Sequence, residues 1–203
     1  MRGRFIAIEG IDGCGKSTQL AALKKRLEDA GETVVTVREP GGTALGEAVR
    51  DILLGDPRVA IGAEAQMLLF LASRVELLEQ VISPALAGGS VVLSDRFHLS
   101  TVVYQGYAGE VGESRAADLC SAVLGDRRPD LNLVLELSAS ECKERLGAAP
   151  DRFEIDPEFQ ERVAEGFART TGIAGDRIIR IDGSGEPEQI GERLWQEVRY
   201  LFP

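Results

Sequence analysis

The chain predicts an α/β fold: a five-stranded parallel sheet with helices on both faces. Three observations carry that expectation. Short apolar runs of strand type alternate with segments of helical spacing along the 203 residues. A glycine-rich loop, Gly10-Ile11-Asp12-Gly13-Cys14-Gly15-Lys16-Ser17, stands between the first strand and the first helix. The loops that begin at Arg38 and at Asp95 follow two further strands, and right-handed crossovers bring all three loops to one sheet edge.

Each element has its own local reason. Arg4 to Glu9 is apolar enough for a buried strand, and Thr18 to Ala30 spaces Leu20, Leu23 and Leu27 as a helix does, with Gly31 as its stop. Thr33 to Val37 is a second strand. Pro40, Gly41 and Gly42 force a loop before the helix Leu45 to Leu54. A long helix is expected from about Ala63 to Leu86, broken near Pro84, with an apolar stripe through Met67, Leu68, Leu71, Val75, Leu78 and Ile82. Ser90 to Ser94 is the third strand, followed by helices near Ser100–Tyr104 and Glu113–Leu124. Leu131 to Leu137 is the fourth strand. A short helix from Ser140 to Leu146, capped by Ser138 or Ser140, precedes a non-periodic patch, Gly147 to Pro150. A helix from Pro157 to Thr170, a strand from Arg177 to Ile181 and a helix from Pro187 to Leu201 close the chain.

Composition narrows the class. With 44% hydrophobic and 28% charged residues the chain reads as an ordinary globular protein, and its length suits one domain. The formal net charge of −10 speaks against non-specific binding to nucleic acid or anionic lipid. Cys14, Cys120 and Cys142 lack C-x-x-C spacing, so neither a disulfide framework nor a zinc site is expected. Without an apolar run of membrane-spanning length or a secretory leader, the expected setting is the cytoplasm, with no membrane partner.

The glycine-rich loop matches G-x-x-x-x-G-K-[ST] at every fixed position. Gly10, Gly13 and Gly15 let backbone N–H groups curl into an anion nest, continued through Cys14, Ser17 and Thr18 into the helix N-terminus. Lys16 is placed for β- and γ-phosphates and the Ser17 hydroxyl for Mg²⁺. Such a loop implies a bound nucleoside triphosphate.

Other residues admit two readings. Asp95 closes a strand, where an acid either holds Mg²⁺ or merely pairs with a surface arginine; its neighbour Arg96 is either that arginine or a phosphate ligand. Phe70 and Arg74 share a helix face and are either core or a site that stacks a flat base and donates to its carbonyl. Arg74, if buried, needs a partner, and a ligand is one candidate. Ser100, Thr101, Tyr104 and Gln105 are either solvated helix residues or hydrogen-bonding groups for a base or sugar. His98 shows no triad-like company and reads as incidental.

Taken in order, Phe5 to Gln19, Arg38-Glu39-Pro40-Gly41-Gly42-Thr43, Phe70 with Arg74, Asp95-Arg96-Phe97, Tyr104-Gln105-Gly106 and Asp151-Arg152-Phe153-Glu154 resemble the bacterial thymidylate kinases. The resemblance covers residues 5 to about 167. It implies a P-loop NTPase fold of nucleotide kinase type, a single domain over 1–203 with a short lid at about 145–155, and transfer of the γ-phosphoryl of ATP to dTMP to give dTDP. It further implies that Gly10 to Thr18 hold ATP, Ile11 included, with Mg²⁺ at Ser17 and Asp95. Asp12 would contact the acceptor sugar, and Glu39 would line the acceptor site. Arg50, Arg96 and Arg38 would lie near its phosphate. Phe70 and Arg74 would read thymine, and Ser100, Thr101 and Gln105 would complete recognition. Gly13 stands where some relatives carry a catalytic arginine, so that charge would come from the lid, from Arg145 or Arg152. A homodimer is also implied. The alternatives fit less well: a deoxynucleoside kinase would lack the Arg38–Thr43 loop, a GTP switch would need an N-K-x-D motif, and a non-catalytic binding module would not keep the acceptor-side residues.

Overall fold

The computed structural model describes residues 2–55, 58–145, 153 and 156–202. Five strands form one parallel sheet in the order β2-β3-β1-β4-β5: β1 Phe5–Glu9, β2 Val34–Arg38, β3 Val91–Asp95, β4 Leu131–Glu136 and β5 Ile178–Asp182. Each lies within a residue or two of its expected position. Register explains why the charged loops meet: Asp95 pairs with Ile8 on one side and with Arg38 on the other, so Glu9, Glu39 and Arg96 all leave the sheet side by side.

The period-two alternation of β1 divides the core between the two sheet faces. Ile6 and Ile8 pack in one cluster with Leu23 and Leu27 of α1 (Lys16–Asp29). Phe5 and Ala7 pack in another with Met67 and Leu71 of α3 (Ala63–Leu77). Between these helices, α2 (Ala44–Leu54) is capped by Thr43, whose hydroxyl accepts from Gly46 N–H.

The long helix expected over 63–86 is bent into three parts. After α3 the backbone widens into a π turn, Leu78–Ile82, then resumes as α4, Ser83–Ala87. Pro84 is the reason: it has no N–H to give, and its ring needs room beside the preceding turn. The widened turn supplies that room, with Ser83 N–H bonded to Leu78 O. Leu68, expected on the apolar stripe, is instead 53% exposed, because the buried face runs through Met67, Leu71, Arg74 and Leu78.

The segment after β3 also exceeds its expected length. A short α5, His98–Thr101, runs into a second π segment, Val102–Ala108. Nearly every side chain here is buried, so no polar face marks the helix in the sequence. Gly106 lets α6 (Glu113–Leu124) approach; a Cβ there would sit 2.9 Å from the Ala116 Cβ.

The remaining described helices lie within a residue or so of expectation, except that the closing one ends at Val198 and tightens into a 3-10 turn, Arg199–Leu201. Ser138, not Ser140, caps α7 (Ala139–Arg145): its hydroxyl accepts from Glu141 N–H at 3.2 Å, and Glu141 accepts from Ser138 N–H. Asp156 caps α8 (Pro157–Arg169). A capping box from Glu186 opens α9 (Pro187–Val198). Among the described residues no helix is long and apolar enough to cross a membrane.

Candidate active site

The glycine-rich loop adopts the backbone its sequence demands. Gly10, Gly13 and Gly15 have φ of 136°, 84° and 100°, where an L side chain is strained. At Gly10 a Cβ would also lie 2.7 Å from Leu135 O. Ile11 and Cys14 turn their side chains into the core and offer only backbone to a ligand. Lys16 is almost wholly buried and donates to Ile11 O at 2.9 Å, closing the loop on itself, 3.6 Å from Asp12.

In front of this loop lies a cavity of ≈ 690 Å³. Asp12, Gly13 and the run Gly15 to Gln19 line it, with Arg38, Glu39, Arg50, Asp95, Arg96 and Arg145 from other elements. Gly185, Pro187 and Ile190 form its far wall and were not foreseen. Gln19 ties that wall to α1, donating from Nε2 to Pro187 O at 2.9 Å.

A second cavity of ≈ 100 Å³ adjoins the first. It gathers Asp12, Glu39, Arg50, Phe70, Arg74, Arg96, Ser100, Thr101 and Gln105, all expected on the acceptor side, together with Tyr104. Arg38 lines only the larger cavity, with its Nη2 3.0 Å from Glu47. Pro40, Leu54, Phe97 and Phe153 also line the smaller one, and none of them was singled out from the sequence as a site residue. Asp12, Glu39, Arg50 and Arg96 line both cavities and so stand at their junction.

Arg96 organises that junction. Its Nη1 donates to Gly10 O (2.8 Å) and to Ser100 Oγ (3.0 Å); its Nη2 donates to Asp12 Oδ1 and to the Tyr104 hydroxyl (3.1 Å). The residue holds φ at +67°, a strained value for a side chain of this size, at a cost of order 1–3 kcal/mol offset by its hydrogen bonds. Tyr104 in turn donates to Asp12 Oδ2 at 3.0 Å. Burial alone would push the Asp12 carboxyl up, but Arg96 and Lys16, with the bonds from Arg96 and Tyr104, hold it well below the usual carboxylate range. Burial pushes the Tyr104 phenol well above its ordinary value, against the pull of Arg96.

Beneath this network lies Glu9, fully buried at the end of β1. Its Oε1 accepts from Phe97 N–H (2.8 Å) and Ser100 N–H (3.3 Å), and its Oε2 from Ser100 Oγ (2.5 Å). Glu9 thereby fixes the turn that presents Arg96.

Arg74 has Glu39 as its charge partner. Nε donates to both carboxylate oxygens (3.0 and 2.8 Å) and Nη2 to Oε2 at 2.5 Å. Nη2 also reaches Phe97 O and Thr101 Oγ1, while Nη1 points at Cys120 Sγ, 3.7 Å away. Burial pushes the Glu39 carboxyl up, and Arg74 pulls it down. Gln105 donates to Gln66 Oε1 at 3.3 Å, which sets its amide at the cavity wall.

Ser17 and Asp95 come together, the hydroxyl donating to Oδ2 at 2.9 Å. Among the described residues no group of three or more His, Cys, Asp or Glu could hold a metal by protein ligands alone. One hydroxyl and one carboxylate at a triphosphate cradle fit Mg²⁺, which keeps its waters and takes phosphate oxygens. Arg145 lines the larger cavity, whereas Arg152, like Gly147 to Asp151, lies outside the described residues. His98, read as incidental, does have an acid partner: its Nε2 meets Asp176 Oδ2 at 2.7 Å, both side chains buried.

Residues 8–194 match the family described as thymidylate kinase. A thymidylate kinase of Rhodopseudomonas palustris is 41% identical over 206 residues, 98% of this chain and 90% of the relative. One from Chlamydia trachomatis serovar D is 42% identical over 98% of this chain and the whole of the relative. One from a Synechococcus strain is 42% identical over 96% of this chain and 95% of the relative.

Proposed function

Since the chain belongs to the thymidylate kinase family and carries out ATP-dependent phosphorylation of dTMP to dTDP, we propose how its residues divide that work. The larger cavity takes ATP and the smaller one takes the thymine and sugar of dTMP. The carrying observation is that both cavities share Asp12, Glu39, Arg50 and Arg96, so two ligands meet at a junction held by Arg96.

The reaction asks little covalent chemistry of the protein. It asks that the acceptor phosphate oxygen lie in line with the leaving oxygen of the donor, and that spreading negative charge be met by fixed positive groups. Lys16 and the loop N–H groups grip the donor phosphates. Arg50 and Arg96 hold the acceptor phosphate, and Arg145 brings charge to the donor from α7, with Arg152 as the further candidate in the stretch about 145–155. Ser17 and Asp95 would hold Mg²⁺, which neutralises phosphate oxygens when bound. Asp12 stays ionised and orients Arg96 and the acceptor sugar. Phe70 stacks the base, and Arg74, Thr101, Gln105 and Ser100 offer it hydrogen bonds. Arg38 stays at the margin, on the donor side.

A steady-state ADP-release assay that reads KM for ATP and for dTMP separately tests the division. Phe70→Ala should raise KM for dTMP alone, and an unchanged value would overturn the assignment of the smaller cavity.

The whole chain works as one kinase domain, in the reducing setting of the cytoplasm that suits three buried free thiols. It pairs as a homodimer through α2 and α3: Leu45 and Ile52 share one face of α2, Leu68 lies on α3, and these side chains are 46%, 52% and 53% exposed. Sedimentation of Ile52→Asp should give a monomer.

A further inference from the structure

We infer that Phe153 is a specificity-determining residue of the acceptor site, extending the aromatic wall against which the base is held. The inference rests on the reading of the smaller cavity as the thymine site.

Four aromatic residues line that cavity: Phe70, Phe97, Tyr104 and Phe153. Phe153 lies 6.3 Å from Phe70, tilted by 43°, and 5.8 Å from Tyr104, edge-on at 88°. The polar groups of Arg74, Thr101 and Gln105 also line the cavity. A space of ≈ 100 Å³ with aromatic walls and hydrogen-bonding groups suits one flat heteroaromatic ring. Phe70 and Phe153 pack on each other, so no ring fits between them; Phe153 instead extends the aromatic wall beside Phe70 and keeps water from the base.

Its placement is anchored from outside the cavity. The Phe153 carbonyl accepts from Gln160 Nε2 at 2.5 Å, a bond from α8 that is itself buried, and the residue is 8% exposed. Through Tyr104 the ring also touches the junction, because the Tyr104 hydroxyl bonds both Asp12 and Arg96. Arg145, which lines the donor cavity, lies eight positions upstream, so one stretch of chain contributes to both ligands.

Phe153→Leu keeps the apolar bulk and removes the flat face. It should raise KM for dTMP roughly tenfold, since stacking a base on an aromatic ring is worth about that much. The KM for ATP and the melting temperature should stay near those of the parent chain, and Phe153→Tyr should restore the KM for dTMP. Phe70→Ala is measured in parallel. If Phe70→Ala raises KM for dTMP and Phe153→Leu does not, the role of Phe153 is overturned and the thymine site stands. If neither changes it, the thymine site itself is misplaced. A fall in melting temperature with both KM values unchanged would make Phe153 a core residue only, and also overturns the proposal.

Discussion

Arg74 and Glu39 form an ion pair in which three hydrogen bonds of 2.5 to 3.0 Å join two side chains that are almost wholly out of solvent. One sits in the last turn of α3 and the other just beyond β2. The pair thus fastens the loop after Arg38 to the helix that carries Phe70.

Breaking it should be expensive. Glu39→Ala leaves a guanidinium buried without its counter-charge, and a loss of about 3–5 kcal/mol is expected. Urea unfolding of the variant measures this, and a loss under about 1 kcal/mol would mean that solvent reaches Arg74 readily. The KM for dTMP should rise in the same variant, because Arg74 loses its orientation.

Arg96 should not tolerate lysine. Four acceptors surround its planar fork, and a lysine ammonium has one point from which to reach them. Arg96→Lys is expected to lower kcat roughly 10²-fold, the scale of losing a positioned donor to developing charge. KM for ATP should move far less. Near-normal turnover would show that charge alone suffices.

Asp12 predicts an acid limb of stability. An ordinary aspartate titrates near 3.8, and this one is held lower in the folded chain. Its contribution is therefore complete above about pH 4 and is lost as pH falls through the lower folded value. The gap in urea midpoint between the parent chain and Asp12→Asn should be constant from about pH 8 to 5 and shrink below about pH 3. A gap that instead widens in acid would contradict the charge assigned to Asp12.

The buried His98–Asp176 contact is expected to serve stability and not the reaction. Asp176 also accepts from Ile173 N–H at 2.8 Å, and His98 Nδ1 has no hydrogen-bond partner among the described residues. Asp176→Ala strips the ring of its remaining bond, for an expected cost of about 1–3 kcal/mol. Both KM values should be unchanged. A selective effect on KM for dTMP would instead tie this contact to the Asp95–Phe97 turn.

What could be read from the chain beforehand divides along a physical line. Strands, caps and the glycine-rich loop are local: Gly15 must take a left-handed conformation, Ser138 or Ser140 must cap, and alternation in Phe5–Glu9 shows in adjacent letters. The two π segments were invisible because a 3.6-residue period says nothing of a widened turn, although Pro84 hinted at one. The expected acceptor residues other than Arg38 do converge, since motif spacing names the loops and the parallel register brings them together. Their partners could not be read. Glu9 grips Ser100 across 91 positions and Arg74 finds Glu39 across 35, and no periodicity links such distant letters. Phe153 was visible as part of the Asp151–Glu154 motif, but its place in the cavity was not, because it stands in a stretch without helical or strand pattern.

The hydrogen bond from Gln19 to Pro187 joins the donor cavity to the start of α9. About two turns further along that helix is Trp195, with the Arg26 guanidinium of α1 stacked 4.7 Å above its ring. It is the chain's one tryptophan. The protein thus carries a native fluorophore resting against the helix that begins at the glycine-rich loop. Its emission, followed during titration with ADP, can gauge donor occupancy without any attached dye.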